Sequence, residues 1–328
     1  MRWIPSALQT TARPRLACAL TSEAVYAAHS ASPGLPVQAA LFQPLPVGAV
    51  APALKSPILS GSTLAAELHD LKALKLVAGK SRSKQVTLVV PDVCVRVLVL
   101  DFEALPNKHS EALPLVRFRL RKMLPFDADE AAISYQVLHS GKTQEDETVR
   151  VLVTAMQAEL REELESLLRT AGFEPGAILP ATLASLAAVP EDEAHLLVHT
   201  SQQSVSTTIS RGNDLLLYRT LEHATAPHAV PVDEVALPEA APATQEEDCI
   251  QAILMAAAFY EDALGRTPDH VLVAGKDSPE LLYSQLNAVC DWQIPLRSLV
   301  RTEHFLAEAV PNGVPACRFA GVVGALHG

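Results

Sequence analysis

The sequence predicts an α/β chain of two lobes sharing one order of elements, with a small α+β subdomain inserted in the first. Two observations carry this. Each half opens on a three-strand meander and then turns to helices alternating with strands. A compact block interrupts the first half only. The expected division is residues 1–85 and 178–192 for the first lobe, 86–177 for the inserted subdomain and 193–328 for the second lobe. At 328 residues and 49% hydrophobic, the chain is long enough for two sizeable cores, built mostly from Ala, Leu and Val because only 5% is aromatic.

In the first lobe, "LACAL" and "AVYAA" flank Thr21-Ser22-Glu23 as a hairpin, and "VQAALF" supplies a third strand. Pro44, Pro46, Pro52 and Pro57 mark an ordered loop or short linker. "STLAAELHDLKALKLVAGK" reads as a helix: Leu64, Leu68 and Leu71 recur at helical spacing, Ser62 caps the start and Gly79 lies past the end. The inserted block reads ββαββα. "VTLVVP" and "CVRVLVLDF" are strands. "SEALPLVRFRLRKML" is a helix capped by Ser110 with Pro114 in its first turn. Arg117, Arg119, Arg121 and Lys122 crowd its C-terminal half, where the helix dipole favours cations. "AISYQVLH" and "TVRVLVTAM" are strands around the polar turn "SGKTQEDE". "QAELREELESLLRTAGF" is an amphipathic helix on Leu160, Leu164 and Leu168, followed by a last strand at "GAIL". After a helix at "PATLASLAAV", the meander returns in "LLVHTSQQSVSTTISRGNDLLLYR". A polar, proline-rich spacer covers about Glu222 to Thr244. Helix "EEDCIQAILMAAAFYEDALG", strand "HVLVAG", helix "SPELLYSQLNAVC", strand "IPLRSL" and a terminal helix at "FAGVVGALH" complete the chain. This duplicated order is that of the actin-like architecture, two ribonuclease-H-like lobes.

The net charge of −11 argues against broad binding to nucleic-acid phosphates, which needs clustered cations. Cys18, Cys94, Cys249, Cys290 and Cys317 lie far apart and form no C-x-x-C pair, so reduced core thiols are expected rather than a disulfide framework or a zinc site. The N-terminus has no apolar stretch of the secretory kind, and no apolar run reaches the ~18–20 residues that span a bilayer. The expected place is the cytosol, or the cytosolic face of a membrane through a partner.

Residues Val86 to Met156 carry a more specific signal. Arg96 to Phe102 reads R-V-x-x-L-x-F and is followed by Leu105-Pro106, the basic helix through Arg117 to Lys122, the turn Pro125-Phe126-Asp127 and a strand with Ser134-Tyr135-Gln136. As an ensemble this resembles the type IV pilus assembly protein PilM family; elsewhere the resemblance is one of topology. The cytoplasmic part of the type II secretion protein GspL and the division protein FtsA share that architecture. The resemblance implies a cytosolic scaffold that binds the short N-terminal peptide of a single-pass membrane partner, PilN. Its groove lies between the first core subdomain and the inserted one, and it joins the PilN–PilO platform to the pilus motor. Arg96, Arg117, Arg121 and Phe126 are then candidates for partner contact. Plainer readings stand beside two of these: a solvated helix end for Arg117 to Lys122, and a lock on the helix exit for Pro125-Phe126.

Members of such families hold ATP with an early D-x-G hairpin, a second D-x-G hairpin and a Gly-rich turn. Here the first reads Ala19 and Thr21 where Asp and Gly are expected, the second His199 and Ser201, and the third a single Gly275 followed by Lys276. Without carboxylates Mg²⁺ loses its water-mediated anchors, and side chains in place of Gly hold phosphate off the backbone. The expectation is therefore a protein that is not an enzyme and has no ATP or Mg²⁺ cofactor. "SGKT" at Ser140 to Thr143 lacks the upstream Gly of a P-loop, since Gln136 stands there, and reads as a solvated loop. His199 has no acidic partner at local spacing and reads as a hydrogen-bonded turn histidine. Two alternatives stay open: a GspL-like component of type II secretion, and an actin-like protein that still binds ATP.

Overall fold

The computed structural model describes residues 13–56, 58–59, 71–79, 83–138, 148–212, 214–223 and 244–327. The Ser62 cap, Leu64, Leu68, the SGKT turn and most of the 222–244 spacer lie outside them.

The first lobe is a five-stranded sheet of β1 (Leu16–Leu20), β2 (Ala24–His29), β3 (Ala39–Pro44), β4 (Gln85–Val90) and β8 (Glu174–Pro180), in the order β3-β2-β1-β4-β8. The second lobe repeats it with β9 (Ala194–Thr200), β10 (Ser204–Arg211), β11 (Asp214–Glu222), β12 (Val271–Gly275) and β13 (Leu296–Ser298), in the order β11-β10-β9-β12-β13. In both, the first strand is antiparallel to the second and parallel to the fourth. The duplication read from the two meanders is therefore complete to the last strand.

A separate antiparallel sheet, β5 (Arg96–Phe102), β7 (Val149–Met156) and β6 (Ala132–Val137), in the order β5-β7-β6, carries helix α2 (His109–Leu120). Leu100, Ala112, Val116, Leu120, Val151 and Val153 form its core. This subdomain is smaller than the 86–177 block expected from sequence. β4 and β8 pair with each other in the first sheet, and helix α3 (Ala158–Thr170) packs Leu160, Leu164 and Leu168 against Leu16 and Leu88 there. The run "QVTLVV" explains the difference: five of its six residues are buried, as in a parallel strand covered on both faces. Two local expectations also change. α2 starts at His109 behind Lys108 rather than at a Ser110 cap, so Pro114 sits two residues deeper, in the second turn. Cys94 lies in a 3-10 turn, Asp92–Cys94, rather than in a strand.

Helix α1 (Lys72–Ala78) ends at Gly79, as expected. The proline-rich stretch is tied to α3, whose Glu163 accepts from Ser56 Oγ at 2.5 Å and from Leu59 N at 2.9 Å. Helix α4 (Ala181–Leu186) follows β8, and α5 (Gln245–Leu264) and α6 (Pro279–Val289) cover the second lobe. α5 starts on a full capping box between Thr244 and Glu247, and Ser278 caps α6. The terminal helix α7 (Ala320–His327) is buried from Ala320 to Leu326 at the junction of the lobes. Its neighbours in one continuous core include Ala17 of β1, Leu183 of α4, Leu197 of β9 and Leu272 of β12. Gly324 permits this crossing: a Cβ there would lie 2.1 Å from the Ala184 carbonyl oxygen. All five cysteines are free. Burial pushes the Cys18, Cys94 and Cys249 thiols up to about 12, so they behave as inert core groups.

Candidate functional site

The two meander turns face each other across the cleft between the lobes. Ala19, Thr21, Ser22, Glu23, His199, Ser201, Gln202, Gln203, Gly275 and Lys276 line one cavity, so the residues expected at a nucleotide site are brought together. Its volume is about 70 Å³, well below the ~300–1,000 Å³ usual for small-molecule sites.

Each turn closes on itself in the same way. Thr21 Oγ1 accepts from Ala24 N at 3.0 Å and donates to Ala24 O at 2.9 Å. Ser201 Oγ accepts from Ser204 N at 3.0 Å and lies 3.0 Å from Ser204 O. The hydroxyls thus cap the turn N–H groups, which a phosphate site would leave pointing into the cleft. The turns then meet directly. Gln203 Nε2 donates to Ser22 Oγ at 3.0 Å, while within the second lobe Lys276 Nζ donates to Gln202 Oε1 at 2.9 Å. Arg318 Nη1 lies 3.5 Å from Glu23 Oε2 across the same mouth. Gly275 has a structural reason of its own. Its φ is +93°, and a Cβ would fall 2.0 Å from Thr200 O, the acceptor of Lys276 N.

Behind the turns lies a buried carboxylate that sequence reasoning missed. Asp92, 3% exposed, accepts from Thr182 N at 3.0 Å, Thr182 Oγ1 at 2.6 Å, Ser206 Oγ at 3.0 Å and Tyr218 OH at 3.2 Å. It therefore joins α4 of the first lobe to β10 and β11 of the second. A charge in the apolar stretch "VTLVVPDVCVRV" was the available signal, because a buried carboxylate must be met by donors. Burial first, and then the Asp92 charge, raise Tyr218 well above the ordinary phenol value, so it stays a donor.

His199 is a strand residue of β9, not a turn histidine, and it has a non-local acidic neighbour: its Nδ1 lies 3.8 Å from Asp92 Oδ2, outside hydrogen-bond distance. Burial lowers its pKa below the usual imidazole value, against the pull of Asp92. The unfolded chain protonates this ring near pH ~6.5 and the folded chain only at lower pH. Stability is therefore highest above that value and falls as pH drops through the window between the two. Urea unfolding at neutral and mildly acidic pH should show a loss on acidification that is smaller for His199→Gln; an identical loss in both would contradict this role.

A second feature is open. A groove of about 470 Å³ runs between β6 of the inserted sheet and β8 of the first lobe. Ala132, Ile133, Ala177 and Ile178 form apolar walls, and Ser134, Thr154, Arg117, Arg161 and Glu165 supply polar groups. Both β6 and β8 are the last strands of their sheets among the described residues. The groove is thus bordered by strand edges, the feature an extended peptide pairs with.

The candidate partner residues divide. Arg117 lines the groove, but Nη1 is held by the carbonyls of Ala128, Asp129 (2.8 Å) and Ala131 (3.3 Å). Arg96 is ion-paired with Glu222 at 2.5 Å, and Arg121 with Asp129 at 2.9 Å, so both already have internal partners. Phe126 packs against the inserted core, the plainer of its two readings. Arg161, Glu165 and the β8 wall are groove residues that sequence reasoning did not reach.

No family model matches the chain, and no curated protein matches it. Among solved structures it is similar to a chain of a PilM–PilN type IV pilus biogenesis complex, with 19% identity and a TM-score of 0.66 over 95% of this chain and 98% of that one. It is also similar, at 12% identity and a TM-score of 0.48, to the cytoplasmic domain of EpsL, an inner-membrane component of the type II secretion system of Vibrio cholerae, over 95% of this chain and 94% of that one. The fold is the actin-like one: two duplicated α/β lobes, with a small subdomain inserted in the first. Among the described residues, no helix is long and apolar enough to cross a membrane.

Proposed function

We propose that the chain is a non-catalytic scaffold of a type IV pilus assembly machine, and that the groove between β6 and β8 binds the cytosolic N-terminal peptide of a PilN-like inner-membrane protein. The observation that carries this is an open, strand-edged groove beside the inserted sheet, in a fold similar to a chain of the PilM–PilN complex. An extended peptide adds main-chain hydrogen bonds to an exposed strand edge, while the apolar walls and Arg161 and Glu165 select its side chains. Such capture holds the protein at the cytosolic face of the inner membrane and, through the PilN-like partner, links it to a PilO-like protein and the pilus motor. Affinity capture from detergent-solubilised inner membranes should recover a small single-pass protein with a short cytosolic tail. Recovery of no membrane protein would sink the proposal, and recovery of a secretion component would move it to the GspL-like alternative.

The interlobe cleft is read as a former nucleotide site that now acts as a lobe contact. Its self-capped turns, the Gln203–Ser22 bond and the small cavity support that reading. Titration with Mg·ATP should give no binding tighter than about 1 mM. Micromolar binding would contradict it and revive the ATP-binding alternative.

A further inference from the structure

We infer that the outer face of α2 and the turn after it forms a docking surface for an anionic lipid bilayer. The inner side of this helix, Ala112, Val116 and Leu120, is buried against the inserted sheet. Among the described residues no helix or strand covers the outer side, although the Arg121 guanidinium lies over the Phe118 ring, 5.9 Å from its centroid. Phe118 is 70% exposed, Leu115 45% and Met123 46%, all within nine residues of chain. Arg119 and Lys122 stand beside them, and among the described residues neither is in an ion pair. The nearby carboxylates are partly engaged. Glu111 pairs with Lys108 at 3.2 Å, Asp129 pairs with Arg121, and Asp127 accepts from Asp129 N at 2.8 Å; Glu130 is exposed in the same loop.

The result is an apolar-tipped ridge that carries two cations outside ion pairs, Arg119 and Lys122, on a chain whose net charge is −11. Three protruding side chains on a convex helix fall well short of the ~800 Å² per partner that a stable protein–protein interface buries. They do match the interfacial mode, in which Phe and Leu enter the acyl boundary while Arg and Lys stay among anionic headgroups. The location is consistent with that occupant. Arg117, on the same helix, lines the peptide groove, so a captured juxtamembrane peptide and the lipid surface would occupy adjoining sides of the inserted subdomain. The inference goes beyond the peptide-capture reading and is tested apart from it.

The test is flotation of the full chain with vesicles of phosphatidylcholine alone or with about 30% phosphatidylglycerol. The expected result is recovery on the anionic vesicles about fivefold or more above the neutral ones, falling as salt is raised. Phe118→Ser, and separately the double change Arg119→Glu with Lys122→Glu, should each remove most of it without moving the thermal midpoint. A groove-filling variant such as Ala177→Trp should float like the parent, which separates this surface from peptide capture. Equal recovery on both vesicle types, no recovery on either, or full recovery of the folded charge-reversal variant would overturn the inference. Loss of a soluble acidic protein from that variant's captured set, with vesicles left empty, would assign the face to a protein instead.

Discussion

Replacing Asp92 with alanine is expected to lower the stability of the whole chain by about 3–5 kcal/mol. The change leaves Thr182 N, Thr182 Oγ1 and Tyr218 OH without this acceptor and removes one of the two partners of Ser206 Oγ, the other being Thr220 Oγ1 at 2.8 Å. Against a typical total of about 5–15 kcal/mol, that is a large fraction. The loss should also loosen the two lobes, because the donors come from both. Asp92→Asn keeps one acceptor oxygen and should lie between the parent and the alanine variant. Urea unfolding measures all three, and a cost below about 1 kcal/mol for the alanine variant would show that the network does not hold the lobes together.

Filling the groove is expected to have the largest effect on partner binding. Ala177 is half-buried on the β8 wall, opposite the β6 wall residues Ala132 and Ile133. Ala177→Trp occupies the space an extended peptide needs, and should weaken capture of the membrane partner by about 100-fold or more, roughly 3 kcal/mol. Because the side chain enters an open groove rather than a packed core, stability should change by less than about 1 kcal/mol. The triple change of Arg96, Arg117 and Arg121 to alanine should act differently. Arg117 holds the 128–131 loop and Arg96 holds Glu222, so the variant loses internal contacts first. Any loss of capture would follow from displaced walls.

Much of the fold was legible because its signals are local. Short apolar strands separated by Thr21-Ser22-Glu23 and Ser201-Gln202-Gln203 announce the two meanders, α3 shows its leucine spacing, and Gly79 marks the end of α1. The inserted subdomain was placed but its edges were not. A run such as "VTLVVP" reads the same whether its partner is the next strand or one far along the chain. Only pairing with β1 and β8 settles it. The site was partly legible for the same reason. The hydroxyls that replace glycine in the turns could be seen in the sequence. The glutamine–serine bond across the cleft could not, since Gln203 and Ser22 stand 181 residues apart. Nor could the pairing of Arg96 with Glu222, 126 residues away, which turns a candidate partner contact into a structural tie. A groove made from the last strands of two sheets has no linear motif at all.

The central claim is that β6 and β8 bind a membrane partner's tail. The most direct test replaces Ser134, on the groove face of β6, with a photoreactive phenylalanine analogue and irradiates cells or inner membranes that contain the full chain. The account predicts a cross-link to residues in the cytosolic N-terminal tail of a small single-pass membrane protein, and no such product when Ala177→Trp is also present. A product that persists with the groove filled, or partner cross-links that form only from positions in the interlobe cleft such as Gln202, would contradict it.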